Sequence, residues 1–163
     1  MGSLRFDYDI IVHGGGLAGS SLALALGCAG WRVLLIEPNP PTPEPIQDLD
    51  QWQARIYAFA PRPWGWLAGL QVFVPEQRFQ PVTRMVVKGD AAGRIVFAAD
   101  EVPLPYLAVI AEAETVRTAL WTALHACATV DCVTEAGASL CACAVDWHGV
   151  TVTAHDGRNW RTR

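Results

Sequence analysis

The stretch Asp9-Ile-Ile-Val-His-Gly-Gly-Gly-Leu-Ala-Gly19 decides how this chain is read. Residues 9–12 form a short apolar run, the pattern of a strand covered on both faces of a parallel sheet. Glycines at 14, 16 and 19 follow in the spacing G-x-G-x-x-G, and residues 17–29 then read as a helix. Gly30 closes it, where a left-handed cap is favoured. A second apolar run, Arg32-Val-Leu-Leu-Ile36, completes a strand–helix–strand unit. Ala18, Leu22, Ala25, Leu26 and Ala29 are expected to face the sheet, with Ala23 extending a small-residue face begun by Gly19.

A glycine pattern alone is weak, but its place after a strand and at the mouth of a helix gives each glycine a separate task. Gly14 permits the tight turn, Gly16 lets the backbone approach a pyrophosphate without a Cβ in the way, and Gly19 lets helix and strand pack closely. The helix start presents N–H groups and the positive end of its dipole to phosphates. Glu37 ends the second strand, 37 − 14 = 23 positions after Gly14. An acid there can accept hydrogen bonds from both hydroxyls of an adenosine ribose, and its charge disfavours a 2′-phosphate, which argues against NADP at this site. The bland alternative is a glycine-rich turn with no ligand.

Composition narrows the rest. The chain has 163 residues, 52% of them hydrophobic and 17% charged, with a formal net charge of −4. One domain with a substantial core is expected, and a disordered chain is excluded. The acidic balance argues against a nucleic-acid partner, because neutralising phosphates needs surplus Lys and Arg. Cys28, Cys127, Cys132, Cys141 and Cys143 are odd in number and lack C-x-x-C spacing, so neither a disulfide framework nor a zinc site follows. Residues 10–31 carry no formal charge, as a membrane span would, but the glycine triplet at 14–16 would break a continuous helix. No secretory signal is expected at the start, no transmembrane segment elsewhere, and a cytoplasmic location is the default.

Pro38-Asn-Pro-Pro-Thr-Pro-Glu-Pro45 holds five prolines in eight residues and reads as an extended surface loop. Beyond it, residues 61–70 suggest a short helix carrying Trp64 and Trp66. Residues 83–88 and 94–97 form a hairpin around a Gly-Asp-Ala-Ala-Gly turn, 106–110 a further strand, and 112–126 a helix with Val116, Leu120, Ala123 and Leu124 on one face. The last segment alternates from Leu140, turns at His148-Gly149, returns over 150–153 and turns again at Asp156-Gly157.

Residues 8–26, from Tyr8-Asp-Ile-Ile-Val-His-Gly-Gly-Gly through Leu26, with Trp31-Arg-Val-Leu-Leu-Ile-Glu-Pro38, resemble the opening of the FAD-dependent aromatic hydroxylases. Their closest branch is the ubiquinone-biosynthesis hydroxylases, relatives of para-hydroxybenzoate hydroxylase. Ala54-Arg-Ile-Tyr-Ala-Phe-Ala-Pro61 resembles the family segment whose arginine lies against the flavin, which maps to Arg55. Tyr106-Leu-Ala-Val-Ile-Ala-Glu112, running into Arg117-Thr-Ala-Leu120, resembles the strand and helix that return to the FAD site, with Glu112 where the family has Glu or Gln. The hairpin from Val150 to Arg161 resembles one that precedes the family's next motif.

The resemblance implies an α/β fold: a three-layer, Rossmann-like FAD-binding domain around a parallel sheet, plus the start of a β-rich substrate domain. Residues 1–163 would be a single incomplete FAD-binding domain, with 80–110 the β-rich insertion. The chain stops before the family's Asp-Gly segment and lacks its later Gly-Asp motif, so it resembles an amino-terminal piece. The implied function is FAD-dependent monooxygenation of an aromatic or quinone-like ring, using NAD(P)H and O2. The cofactor contacts would be Gly14, Gly15, Gly16, Leu17, Ala18, Gly19, Glu37, Arg55 and Glu112; no catalytic acid or base can be named. A quinone-like substrate leaves peripheral membrane association open. Two rivals stand beside this: a truncated, non-catalytic nucleotide-binding module, and an NAD-dependent dehydrogenase or structural domain, which the hairpin-rich middle disfavours.

The remaining residues of note have blander readings. His13 replaces an apolar strand residue of the family and is expected to be buried and hydrogen-bonded, or merely tolerated. Glu112 and Glu114 flank a helix start, where carboxylates favour the dipole. Cys141 and Cys143 are small residues on one strand face, while Trp52, Trp64 and Trp66 are expected to pack in core or loops. His125, His148 and His155 share no metal spacing.

Overall fold

The computed structural model of the chain describes residues 5–42, 54–90 and 92–163. They fall into two compact units, one of residues up to 43 together with 120–163, the other of residues 44–119. In chain order the elements are β1 (Ile10–His13), α1 (Leu17–Cys28), β2 (Val33–Ile36), β3 (Ile56–Phe59), α2 (Pro61–Gly69), β4 (Phe79–Val82), β5 (Arg84–Lys88), β6 (Arg94–Ala98), β7 (Ala108–Glu112), α3 (Ala113–Ala126), β8 (Val130–Val133), β9 (Leu140–Asp146), β10 (Gly149–Ala154) and β11 (Asn159–Thr162). The fold is mixed α/β, with one parallel sheet and several antiparallel ones.

In the first unit the parallel sheet has the order β1-β2-β8. Val33, Leu34, Leu35 and Ile36 are all fully buried, which is why β2 is continuously apolar rather than alternating. The two faces of β2 go to different neighbours. Leu34 and Ile36 join Ala138, with Tyr8, Ile11, Leu140 and Trp160 packed around them, so the β9–β10–β11 segment covers that side. Val33 and Leu35 stand in register with Val130 and Val12, and these are the side chains that the glycine edge of α1 meets: Gly27 lies against Val130 and Gly19 against Val12.

That edge corrects the expected helix face. Ser20, Ala23, Leu24 and Gly27 are the buried residues of α1, whereas Ala18 and Ala29 are exposed and Leu22 is 50% exposed. Close approach won over side-chain size: Gly19, Ala23 and Gly27, four residues apart, let the helix axis sit nearer the sheet than the leucine stripe would. At the other end, the Gly30 N–H donates to Gly27 and the Trp31 N–H to Leu26, with Gly30 at φ +90°. This is a Schellman cap, as the position of Gly30 predicts.

The second unit contains the antiparallel sheet β3-β7-β4, helix α2 and the β5–β6 hairpin. Trp64 makes tilted ring contacts with Phe59 (5.4 Å) and Phe79 (5.1 Å), so it packs against its own unit, as expected, while Trp66 is half exposed. The expected helix at 61–70 and the hairpin at 83–97 are present; β7 begins two residues later than the sequence suggests. Strands β3, β4 and β8 were not anticipated. Trp52 and the end of the proline loop lie outside the described residues.

His13 is exposed at the end of β1, so of its two readings the buried, hydrogen-bonded one falls and the merely tolerated one remains. Cys28, Cys141 and Cys143 are exposed and all five cysteines are free. Among the described residues no helix is long and apolar enough to cross a membrane.

Two acids on and beside β8 resist ionisation. Burial, reinforced by the hydrogen bond from its hydroxyl to Asp131 (2.8 Å), pushes Tyr8 up to about 12, and burial beside Asp131 pushes the Cys132 thiol up to about 11. Folded protein therefore keeps protons that the unfolded chain releases: the Cys132 contribution is intact below pH ~9 and lost as pH rises to about 11, the Tyr8 contribution intact below pH ~10 and lost as pH rises to about 12. Thermal unfolding should show Tm falling by several degrees between about pH 8.5 and 11.5, with a shallower fall in a Tyr8→Phe/Cys132→Val variant. An unchanged slope in that variant would contradict the assignment.

Candidate functional site

The turn after β1 is built by backbone geometry that side chains would prevent. Gly14 has φ +103°, a region closed to most L-residues, and its N–H reaches the carbonyl of Ile36 at 2.8 Å, tying the turn to the end of β2. A Cβ on Gly19 would collide with the Gly14 carbonyl oxygen, so the helix crosses the strand at glycine-to-backbone distance. Gly16 is the N-cap of α1, has no side chain to cap it, and no acidic residue occupies the first turn. A Cβ built on Gly16 would meet nothing within 4 Å. Gly16 and Ala18 are exposed and Leu17 is half-buried. The helix start is thus open, carries the positive end of the helix dipole and has no acid of its own in the first turn, a setting for an anion.

Gly15 behaves differently. It is buried, its N–H donates to Oε2 of Glu37 at 2.6 Å, and its carbonyl accepts from Ser20 Oγ at 2.9 Å and from Trp121 Nε1 at 3.1 Å. The other carboxylate oxygen of Glu37 accepts the Asn39 N–H at 2.8 Å. Glu37 is therefore fixed beside the glycine turn by two backbone donors. Each carboxylate oxygen can accept more than one hydrogen bond, so capacity remains for a diol.

Arg55 and Glu112 belong to the second unit, where β3 and β7 bring them together: Ile56 pairs with Glu112, and the Ala113 N–H donates to the Arg55 carbonyl at 3.0 Å. Arg55 is exposed. Glu112 is 1% exposed, and Arg78 Nη1 sits 3.4 and 3.3 Å from its two carboxylate oxygens, with the Thr115 hydroxyl donating to it at 3.1 Å. The chain forms a buried ion pair where the sequence suggests a cofactor contact, and Glu112 is engaged from within its own unit. Glu114 takes the bland role, pairing with Arg117 at 3.2 Å across one helical turn.

Two residues of this architecture escaped the sequence reading. Arg78, in a three-residue helical turn before β4, gives no signal, because an arginine in a loop reads as surface. Trp121 does carry one: a tryptophan on the buried face of an amphipathic helix needs a partner for its N–H. Among the described residues, no group of three or more His, Cys, Asp or Glu is placed to hold a metal ion.

With this geometry in view, comparisons with known proteins point one way. No family model matches the chain. It is 35% identical over 120 residues to 3-demethoxyubiquinol 3-hydroxylase of Escherichia coli strain K12, a match covering 72% of this chain and 30% of that protein. The chain is similar to the FAD-dependent hydroxylases. Solved monooxygenase structures extend the likeness across the whole fold. Pseudomonas aeruginosa PqsL in complex with 2-aminobenzoylacetate matches with a TM-score of 0.74 at 21% identity, covering 95% of this chain and 41% of that one. The flavin-dependent monooxygenase PieE, in complex with FAD and substrate, matches at 0.64 and 19%, covering 98% and 29%. This chain shares the fold of the matched stretch of those monooxygenases, and spans about 30% of the length of the hydroxylase it matches.

The buried pair permits a sharp test. Arg78→Met should cost about 3–5 kcal/mol in urea unfolding, because it strands the Glu112 carboxylate in the interior. Arg78→Met/Glu112→Gln should recover much of that loss. A single-variant cost below about 1 kcal/mol would show the pair to be solvated after all.

Proposed function

We propose that this chain is the FAD-binding part of a flavin-dependent monooxygenase, its first unit a Rossmann-like, three-layer nucleotide-binding domain. The observation that carries the reading is the open, uncapped start of α1 behind the Gly14–Gly16 turn, with Glu37 held beside it at the end of β2. Gly16, Leu17 and Ala18 would offer N–H groups to the pyrophosphate, with Gly14, Gly15 and Gly19 shaping the loop. Glu37 would accept the ribose hydroxyls. Arg55 would stand on the flavin side, with Glu112 and Arg78 fixing the strand pair that carries it. The segment 80–110 is proposed as the start of a β-rich substrate domain.

FAD, when bound, supplies two-electron transfer from NAD(P)H and the activation of O2. Overall, one oxygen atom would enter the substrate ring and the other leave as water, as NAD(P)H is oxidised. The named relative acts on a ubiquinol precursor and a structural neighbour binds 2-aminobenzoylacetate, which supports an aromatic or quinone-like substrate. A cytoplasmic location is proposed, with peripheral contact to a membrane where the substrate is a lipophilic quinone.

Titration of the purified chain with FAD, FMN, NAD and NADP tests the reading. FAD should bind most tightly, and Glu37→Ala should weaken it roughly tenfold through loss of charge-assisted hydrogen bonds. NAD binding more tightly than FAD would favour a dehydrogenase, and binding of none would refute a nucleotide site altogether.

A further inference from the structure

A loop of three consecutive glycines can bind phosphate by backbone, but it is also free to rotate its peptides. Glycine visits left- and right-handed backbone regions with similar ease, so each peptide of Gly14-Gly15-Gly16 can present either its N–H or its carbonyl oxygen outward. An outward carbonyl would repel a pyrophosphate; an outward N–H would hold it. Something must decide between them.

We propose that Trp121, in α3, is the positioning residue that makes this decision. Its indole N–H donates to the Gly15 carbonyl at 3.1 Å from 106 residues away in sequence, and its ring is 3% exposed. The second donor to the same oxygen, Ser20 Oγ, is fully buried. Both donors lie in the interior, so the carbonyl oxygen is turned inward and the peptide has no low-energy flipped state. The ring also forms a wall. A Cβ on Gly15 would come within 2.6 Å of Trp121 Cζ2 and 2.7 Å of Glu37 Cβ. Gly15 thus lies against both the tryptophan and the ribose-side acid, with its N–H on Glu37 and its carbonyl on Trp121 and Ser20. The peptides that follow, at the start of α1, stay aimed outward. Affinity then comes from a loop that is already in its binding form, which lowers the ordering cost of binding.

This inference rests on the nucleotide site proposed above, and its test separates the two. Trp121→Phe keeps most of the ring and removes the N–H, while Ser20 still satisfies the carbonyl. The expected result is a three- to tenfold weaker Kd for both FAD and ADP, from loss of one hydrogen bond that orders the loop. Leu124→Ala, one turn further along the buried face of α3, is the stability control: it should lower Tm at least as much and leave both Kd values within twofold of wild type. Equal affinities in Trp121→Phe and wild type, or equal weakening in Leu124→Ala, would overturn the positioning role and leave the nucleotide site standing. Wild-type chain that binds neither FAD nor ADP would overturn both. Should Trp121→Phe fail to fold, hydrogen exchange of the wild-type Trp121 indole N–H decides: it should be protected in the free chain and in the ADP complex alike, and rapid exchange in the free chain would refute the role.

Discussion

The hydrogen bond from the Gly15 N–H to the Glu37 carboxylate is the constraint on which the first unit turns. It joins the end of β1 to the end of β2, and so fixes an acid and a glycine loop at one edge of a parallel sheet. The remaining features of that edge follow from it. With the Gly15 N–H committed to Glu37 and its carbonyl to Ser20 and Trp121, Gly16 is left as the cap of α1 with open space around it. Three neighbouring glycines therefore do three different things: Gly14 makes the turn at positive φ, Gly15 anchors it, and Gly16 leaves the helix start bare.

The second unit solves a different problem. Its central strand β7 ends in a carboxylate that is almost wholly buried, and burying a charge is costly without a partner. Arg78 supplies the partner from a turn 34 residues earlier, and Thr115 adds a hydroxyl. The arrangement fixes the end of β7 beside the Arg55 backbone, so an exposed arginine is carried on a strand pair with a rigid inner side. Exposed guanidinium and buried ion pair are two parts of one construction.

Much of this was legible in sequence. The strand, glycine turn, helix and second strand announced themselves through apolar runs and glycine spacing, because close packing and tight turns admit few residue types. The hairpins at 84–98 and 140–154 were equally plain from their turn chemistry. What could not be read was pairing over long range. β8 is Val-Asp-Cys-Val, too short and too mixed to declare itself, yet it completes the parallel sheet beside β2. On α1 the small-residue face begun by Gly19 and Ala23 was legible, whereas Ala18, Leu22 and Ala29 were assigned to the sheet because an almost uniformly apolar helix offers no polar side to orient it. Arg78 and Trp121 escaped because their partners, Glu112 and Gly15, are 34 and 106 residues away.

The central claim is that a pinned Gly15 peptide leaves the start of α1 free to hold the phosphates of a nucleotide. A crystal structure of the chain with ADP bound tests it most directly. The account predicts phosphate oxygens within hydrogen-bond distance of the N–H groups of Gly16, Leu17 and Ala18, ribose hydroxyls on Glu37, and the Gly15 carbonyl still on Trp121. ADP lodged elsewhere, or a Gly15 peptide flipped toward the phosphates, would contradict it.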